Sequence, residues 1–210
     1  MIHCFHGLFG DPDIWTGLFP GSEFIAYDLY NNFDPSKIII NPNDSLIGYS
    51  LGGRIALNLA WENHFNFKKL ILMSAHPGLE DKDKVQRREW EKSIIQKFES
   101  LTKVDFLRYW EGLPLFSKSS LSIEISEDKY QKSFQLFTQY LLSNQMNYLP
   151  ELIKYRSKIV YLFGEYDSKY SKIANELNLS GIRTLKFKSD HRVYACKEEL
   201  KAFFKKEVLS

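Results

Sequence analysis

At 210 residues, 44% of them hydrophobic and 15% aromatic, the chain is long enough to bury one sizeable core, and no stretch reads as a linker between two domains. Its 28 basic residues nearly balance 26 acidic ones, for a net charge of +2, so no global field points to nucleic acid or a membrane surface, and Lys68-Lys69 and Lys205-Lys206 read as solvated edges. Cys4 and Cys196 form no disulfide framework and no CxxC pair, the N-terminus enters core-like sequence at once, and no run approaches a bilayer span. The expectation is a cytoplasmic protein without metal or cofactor; nothing in the sequence specifies an oligomeric partner.

Residues 2 to 5 read as a short buried strand ending in His6-Gly7-Leu8-Phe9-Gly10. A glycine-punctuated loop in that place suits an oxyanion hole, with the Leu8 N–H as one donor. His6 reads as a structural residue that hydrogen-bonds the loop, and His3 as a packed strand residue. Asp11-Pro12-Asp13 supplies an N-cap and a proline for a short helix through Trp15 and Leu18. Glu23 to Asp28 reads as the next strand. The connection from Tyr30 to Asp44 is turn-rich and too short for a long amphipathic helix.

A third strand, centred on Leu46 and Ile47, runs into Gly48-Tyr49-Ser50-Leu51-Gly52-Gly53-Arg54. Glycines two residues either side of a serine, between strand and helix, read as a nucleophile elbow, and the Leu51 N–H becomes the second oxyanion donor. Leu51 to Trp61 carries apolar residues at helical spacing. Lys69 to Ser74 is a continuous apolar run, as a parallel strand covered on both faces requires. From Leu79 to about Pro150 no strand appears, and Gln86 to Leu101, Val104 to Trp110 and Tyr130 to Asn144 have helical period. A stretch of about 70 residues is too long for one crossover, so residues 79–150 read as a helical lid inserted in a single domain, 1–210.

The sheet resumes at Lys158 to Gly164, followed by Glu165-Tyr166-Asp167; Ser168 to Leu177 reads as a helix, Ile182 to Phe187 as a last strand and Val193 to Glu207 as a terminal helix. Between the last two lies Ser189-Asp190-His191. Strands and helices alternate as in an α/β fold with a mostly parallel sheet and helices on both faces. Ser50, Asp167 and His191 fall at the C-terminal ends of strands, where functional loops of open α/β sheets gather. In that order they fit nucleophile, acid and base, with His191 taking the Ser50 proton and Asp167 fixing its tautomer. Glu165 is the alternative acid. Arg54, one turn after Ser50, is a cation near the positive end of a helix dipole. It calls for an anion, either a small carboxylated substrate or a surface carboxylate; Arg87-Arg88 carries the same two readings.

With these residues in view, the chain resembles the α/β-hydrolase superfamily. More narrowly it resembles the 2-succinyl-6-hydroxy-2,4-cyclohexadiene-1-carboxylate synthase family of menaquinone biosynthesis. The resemblance runs through His6 to Gly10, Gly48 to Arg54, Ser74-Ala75-His76-Pro77-Gly78-Leu79, Phe106 to Trp110 with Pro114 and Phe116, Leu162 to Lys169, and His191. It implies a lyase that eliminates pyruvate from 2-succinyl-5-enolpyruvyl-6-hydroxy-3-cyclohexene-1-carboxylate, with Ser50 as base rather than acylated nucleophile. It also implies substrate contacts from Tyr49, Arg54, Arg88 and Trp110 and a structural place for His76. The chain departs from the family in lacking a further lid arginine between Phe116 and Pro150, where Lys129 or Lys132 could stand in. It departs again in a loop reduced to Asp28-Leu29-Tyr30, and in having Asp190 where a glycine usually precedes the histidine. The competing readings are a carboxylesterase or thioesterase working through an acyl-serine, and a non-catalytic binding protein of the same fold.

Overall fold

The computed structural model describes residues 1–19, 21, 23–31, 33–116, 118 and 121–208; residues 32, 117, 119 and 120, in the expected turn and insertion, lie outside the described residues. Six strands form one parallel sheet: β1 (Ile2–Phe5), β2 (Phe24–Tyr27), β3 (Ser45–Tyr49), β4 (Lys69–Met73), β5 (Ile159–Gly164) and β6 (Arg183–Phe187), in the order β2-β1-β3-β4-β5-β6. The chain steps outward from β1 to β2, then jumps back over β1 to begin β3. The order therefore reverses between β1 and β3, and the loops leaving those two strands open the crevice where such sheets bind ligands.

Period-two alternation divides the strands between two cores. Leu70 and Leu72 of β4 join Phe5, Leu46 and Tyr161 on one face, while Ile71 and Met73 join Cys4, Ile47 and Leu162 on the other. Helices α1 (Leu51–Glu62) and α6 (Ser168–Leu179) cover the first face through Ile55, Leu59, Ile173 and Leu177. Trp15, Leu18 and Phe19 cover the second, together with Leu200 and Phe204 of α7 (Lys197–Glu207). Between β4 and β5 stand α2 (Asp81–Ser100), α3 (Lys103–Glu111), α4 (Glu127–Gln139) and the short α5 (Leu149–Lys154). Helices α2, α3 and α4 share a separate core of Phe9, Ile94, Phe98, Phe106, Leu107, Tyr130 and Phe137, whereas Leu152 of α5 joins the sheet core. Among the described residues no helix is long and apolar enough to cross a membrane.

Several boundaries differ from those read in the sequence. Helix α2 begins at Asp81, five residues earlier, because Asp81 and Asp83 in its first turn complement the helix dipole although they add no apolar stripe. The segment after Asp11 stays a single 3-10 turn, Pro12–Trp15, capped by the Asp11 carboxylate accepting from the Asp13 N–H. The expected terminal helix is split: a 3-10 turn, Val193–Ala195, precedes α7, with Cys196 between them in a non-helical conformation. Helix α5, opened by Pro150 in its first turn, was not anticipated.

The elbow is held by close backbone approach. Ser50 has φ 52° and ψ −114°, a conformation that costs a non-glycine residue on the order of 1–3 kcal/mol, and its N–H is anchored to the Met73 carbonyl at 2.8 Å. A Cβ on Gly48 would stand 2.5 Å from the Gly53 Cα, and one on Gly52 would overlap the carbonyl oxygens of Phe5 and His6. Gly52→Ala should therefore lower stability by about 2–3 kcal/mol, since a main-chain obstacle cannot rotate away. Gly112→Ala, where the nearest atoms lie at 3.3 Å and the backbone is right-handed helical, should change it by less than about 1 kcal/mol. Urea unfolding of the two variants measures both.

Candidate active site

Ser50, His191 and Asp167 come from three separate strand ends and meet in one hydrogen-bonded chain. The His191 Nε2 lies 2.9 Å from the Ser50 Oγ, and its Nδ1 lies 2.8 Å from the Asp167 Oδ2. An ionised carboxylate can only accept, so Nδ1 carries the proton and the Nε2 lone pair faces the serine hydroxyl. Asp167 is 1% exposed and also caps α6, accepting the Tyr170 N–H on its other oxygen at 3.1 Å. The carboxylate is thereby fixed in place. Gly164 lets the turns carrying acid and histidine touch, because a Cβ there would overlap the carbonyl oxygens of Asp190 and Ser189. Glu165 points elsewhere, 3.5 Å from the Lys186 ammonium.

Leu8 and Leu51 line the cavity beside Ser50. Neither amide donates a hydrogen bond to another described residue, so both are free to serve a ligand oxygen. The loop bearing Leu8 is braced by His6, whose Nδ1 meets the Gly7 carbonyl at 2.8 Å while its Nε2 accepts the Leu29 N–H at 3.1 Å. Both ring nitrogens are thus occupied, and burial lowers the His6 pKa, keeping the ring neutral. Tyr49 and Trp110 also line the cavity, Tyr49 with its ring 5.5 Å from that of His191.

The cavity has about 100 Å³ of open space. Cations dominate its charged lining: Arg54, Arg87, Lys169 and Arg192. Arg54 is 8% exposed and donates to the Tyr140 carbonyl at 2.7 Å and the Gln145 Oε1 at 3.5 Å. Burial, and then the nearby Arg87, lower its pKa to about 10. Lys169 keeps exposed surface, yet crowding of its ammonium and the charge of Arg87 lower its pKa to about 8. His76 registers the same field: burial first, then Lys169, Arg87 and Arg54, bring it to about 3, so it stays neutral, its Nδ1 accepting the Gly78 N–H.

Arg88, expected at the substrate, is exposed and stands off the cavity; its neighbour Arg87 lines it instead. The reason is helical phase. Arg87, Trp90, Glu91 and Ile94 follow the i, i+3, i+4, i+7 stripe of the inward face, and residue 88 is turned toward solvent. That stripe was present in the sequence. Lys129 pairs with Asp11, and Lys132 with Asp128 and Asn31. Neither lines the cavity; Lys169 and Arg192, which were not singled out, do. Glu91 is the buried counter-ion on this side. At 1% exposed, it accepts from the Arg87 Nε at 2.8 Å, the Leu142 N–H at 2.8 Å and the Ser143 N–H at 3.3 Å. Among the described residues no group of three or more His, Cys, Asp or Glu could hold a metal.

No family model matches the chain. In sequence it is similar to the 2-succinyl-6-hydroxy-2,4-cyclohexadiene-1-carboxylate synthase of Klebsiella pneumoniae, 26% identical over 200 residues covering 82% of this chain and 79% of that protein. In structure it is similar to MenH from S. aureus, with a TM-score of 0.77, 21% identity and coverage of 98% of this chain and 93% of the other. A carboxylesterase structure from Nitrososphaera gargenis follows at a TM-score of 0.61 and 14% identity, covering 97% and 87%. Sheet order, elbow and these neighbours define the chain as an enzyme of the α/β-hydrolase fold. Its sequence relatives narrow the class: they carry the name of the synthase that forms 2-succinyl-6-hydroxy-2,4-cyclohexadiene-1-carboxylate.

Removing the buried carboxylate should be costly. Glu91→Ala leaves two backbone amides and a guanidinium without their acceptor, and stability should fall by about 2–4 kcal/mol. Urea denaturation beside Glu89→Ala, an exposed neighbour on the same helix, measures the difference.

Proposed function

We propose that this chain is a carbon–oxygen lyase that eliminates pyruvate from 2-succinyl-5-enolpyruvyl-6-hydroxy-3-cyclohexene-1-carboxylate to give 2-succinyl-6-hydroxy-2,4-cyclohexadiene-1-carboxylate. The observation that carries the reading is a cavity over the Ser50 hydroxyl in which Arg54, Arg87 and Lys169 converge, and in which neither Arg54 nor Lys169 has a carboxylate partner among the described residues. Buried or crowded cations without counter-ions are destabilising unless an anion answers them. A substrate bearing several carboxylates supplies that answer. The names of the sequence relatives point the same way.

In this mechanism His191 Nε2 takes the Ser50 proton, and the alkoxide removes a proton from the substrate ring. The freed electron pair forms a double bond to the neighbouring ring carbon, the existing ring double bond shifts one position toward the leaving group, and the bond from the ring to the enolpyruvyl oxygen breaks. Pyruvate leaves as its enolate, which the His191 imidazolium reprotonates, so the enzyme ends as it began. Asp167 stabilises that imidazolium, and the Leu8 and Leu51 amides hold the oxyanion that develops during proton transfer. Tyr49 and Trp110 shape the apolar wall, and the reaction takes place in the cytoplasm. The 100 Å³ of open space is smaller than the several hundred Å³ that ligands of this size fill. The insertion, residues 79–150 with α2 to α4, therefore acts as a lid that parts from the sheet to admit substrate.

The same hydrogen-bonded chain could acylate Ser50 as an esterase does, and turnover separates the two. Purified protein should release pyruvate from the carboxylated substrate, followed through lactate dehydrogenase and NADH, with little hydrolysis of p-nitrophenyl butyrate. Ser50→Ala should lower pyruvate release by about 10²–10⁴-fold. Rapid ester hydrolysis without pyruvate release would sink the lyase reading in favour of an acyl-serine enzyme, and binding without turnover of either would leave a binding protein.

Loss of one charge-assisted contact in Arg54→Ala should raise KM for the carboxylated substrate by about 10–100-fold, with circular dichroism checking the fold. Lys169 is charged below its lowered pKa of about 8 and neutral above it. KM should therefore rise between pH 7 and pH 9, and Lys169→Met should flatten that rise.

A further inference from the structure

His191 is held on two sides. Below it, Asp167 accepts from Nδ1 at 2.8 Å. Above it, its backbone N–H donates to the Leu115 carbonyl at 3.0 Å, and the Phe116 ring stands edge-on to the imidazole, 5.6 Å away. Leu115 and Phe116 belong to the stretch between α3 and α4, far from β6 in sequence. What fastens that stretch to the histidine turn is the next residue, Arg192.

Arg192 is 4% exposed. Its Nη2 lies 3.3 Å from the Glu111 Oε1 at the end of α3, its Nη1 donates to the Leu121 carbonyl, and its guanidinium lies 4.7 Å from the Phe116 ring centroid. Glu111 extends the grip by accepting the Ile123 N–H on the same oxygen at 2.6 Å. The backbone of Arg192 is fixed as well, its N–H donating to the Asp190 Oδ1 at 3.0 Å. One planar side chain therefore grips Glu111 and Leu121 and lies over the Phe116 ring, which a lysine could not do. The cost of burying a guanidinium is met by a carboxylate, a carbonyl and an aromatic face.

We infer that Arg192 is a positioning residue: by clasping Glu111, Phe116 and Leu121 it seats these residues on the histidine turn and holds the imidazole of His191 in line between Asp167 and Ser50. The inference rests on the reading of Ser50, His191 and Asp167 as the reacting groups. Reacting atoms misplaced by about 1 Å lose on the order of 10²-fold in rate. A loosened histidine turn is therefore a kinetic fault before it is a binding fault.

The test is Arg192→Met, which keeps the apolar stem and removes the fork, beside Arg192→Lys and Glu111→Gln. Each is measured on whichever substrate the wild type turns over, carboxylated or ester. Arg192→Met should lower kcat by about 10–100-fold while KM moves less than about 3-fold; Arg192→Lys should recover part of kcat, and Glu111→Gln should show a smaller loss of the same kind. In parallel, the low-field proton resonance that the His191–Asp167 hydrogen bond should give in the wild type should broaden through exchange with water in Arg192→Met. That spectroscopic arm needs no substrate, so it reports on the clasp even if the assigned reaction is wrong. An effect confined to KM would make Arg192 a substrate contact. That outcome, a loss of thermal stability with kcat intact, or a kcat loss with the resonance unmoved would each overturn the inference. Should Arg192→Met fail to fold, Glu111→Gln carries the same test from the other end of the clasp.

Discussion

The structure depends on a serine held where a serine prefers not to be. Ser50 sits at φ 52° between β3 and α1, and the strain is tolerated because its N–H is tied to the end of β4 and the flanking glycines let α1 press against the β1 loop. That one close approach fixes several things together. It aims the hydroxyl above the sheet, and it brings the Leu51 amide to the same crevice as the Leu8 amide. It also places both at the point where strand order reverses, the natural ligand site of a parallel sheet. Without the glycines the helix would stand off, and the two loops would no longer face one target.

The second organising constraint is charge. Four cations line the cavity at Ser50, and the protein neutralises them unevenly, Arg192 being paired with Glu111. Arg87 has Glu91, while Arg54 leans on a carbonyl and an amide oxygen. Glu91 and Arg54 grip the same turn from opposite sides: Glu91 accepts from the Leu142 and Ser143 amides, and Arg54 donates to Tyr140 and Gln145. Positions of the two arginines are thereby coupled through residues 140–145, although one belongs to the sheet side and the other to the insertion. The low pKa of His76 follows first from burial and then from these cations, and needs no role in chemistry.

Much of this was legible in the sequence, for identifiable reasons. Parallel strands are continuous apolar runs, so β1, β3, β4 and β5 declared themselves, and Gly-x-Ser-x-Gly, an ordinary turn on its own, gained its meaning from the acid and histidine that follow it in order. Ser50, Asp167 and His191 could be picked out because each lies within four residues of a strand's C-terminal end, and the structure brings the three within hydrogen-bonding distance. Cation placement was less legible. Choosing between Arg87 and Arg88 requires the phase of α2, and a helix with charged residues on most faces hides its inward stripe until Trp90, Ile94 and Phe98 are read together. Lys169 and Arg192 were invisible for another reason. Each adjoins a residue already given a role, and adjacency says nothing about which wall of a cavity a side chain meets. The split before α7 was missed because the turn that aims His191 consumes residues whose spacing looks helical.

Fold likeness alone does not choose between elimination and hydrolysis. A carboxylesterase and a structure named MenH both overlay this chain over nearly its whole length, and the sheet, elbow and histidine turn serve either chemistry. What differs is which substrate atom is delivered above the serine oxygen: a carbonyl carbon invites acylation, an acidic C–H invites proton removal. Delivery is governed by the groups that bind the rest of the substrate. Among the residues that line the cavity, Arg54 is carried by α1 on the sheet, whereas Arg87, Trp90 and Trp110 are carried by helices between β4 and β5. On the proposed reading, the chemistry of the serine and the choice of reaction therefore rest on different layers of the fold.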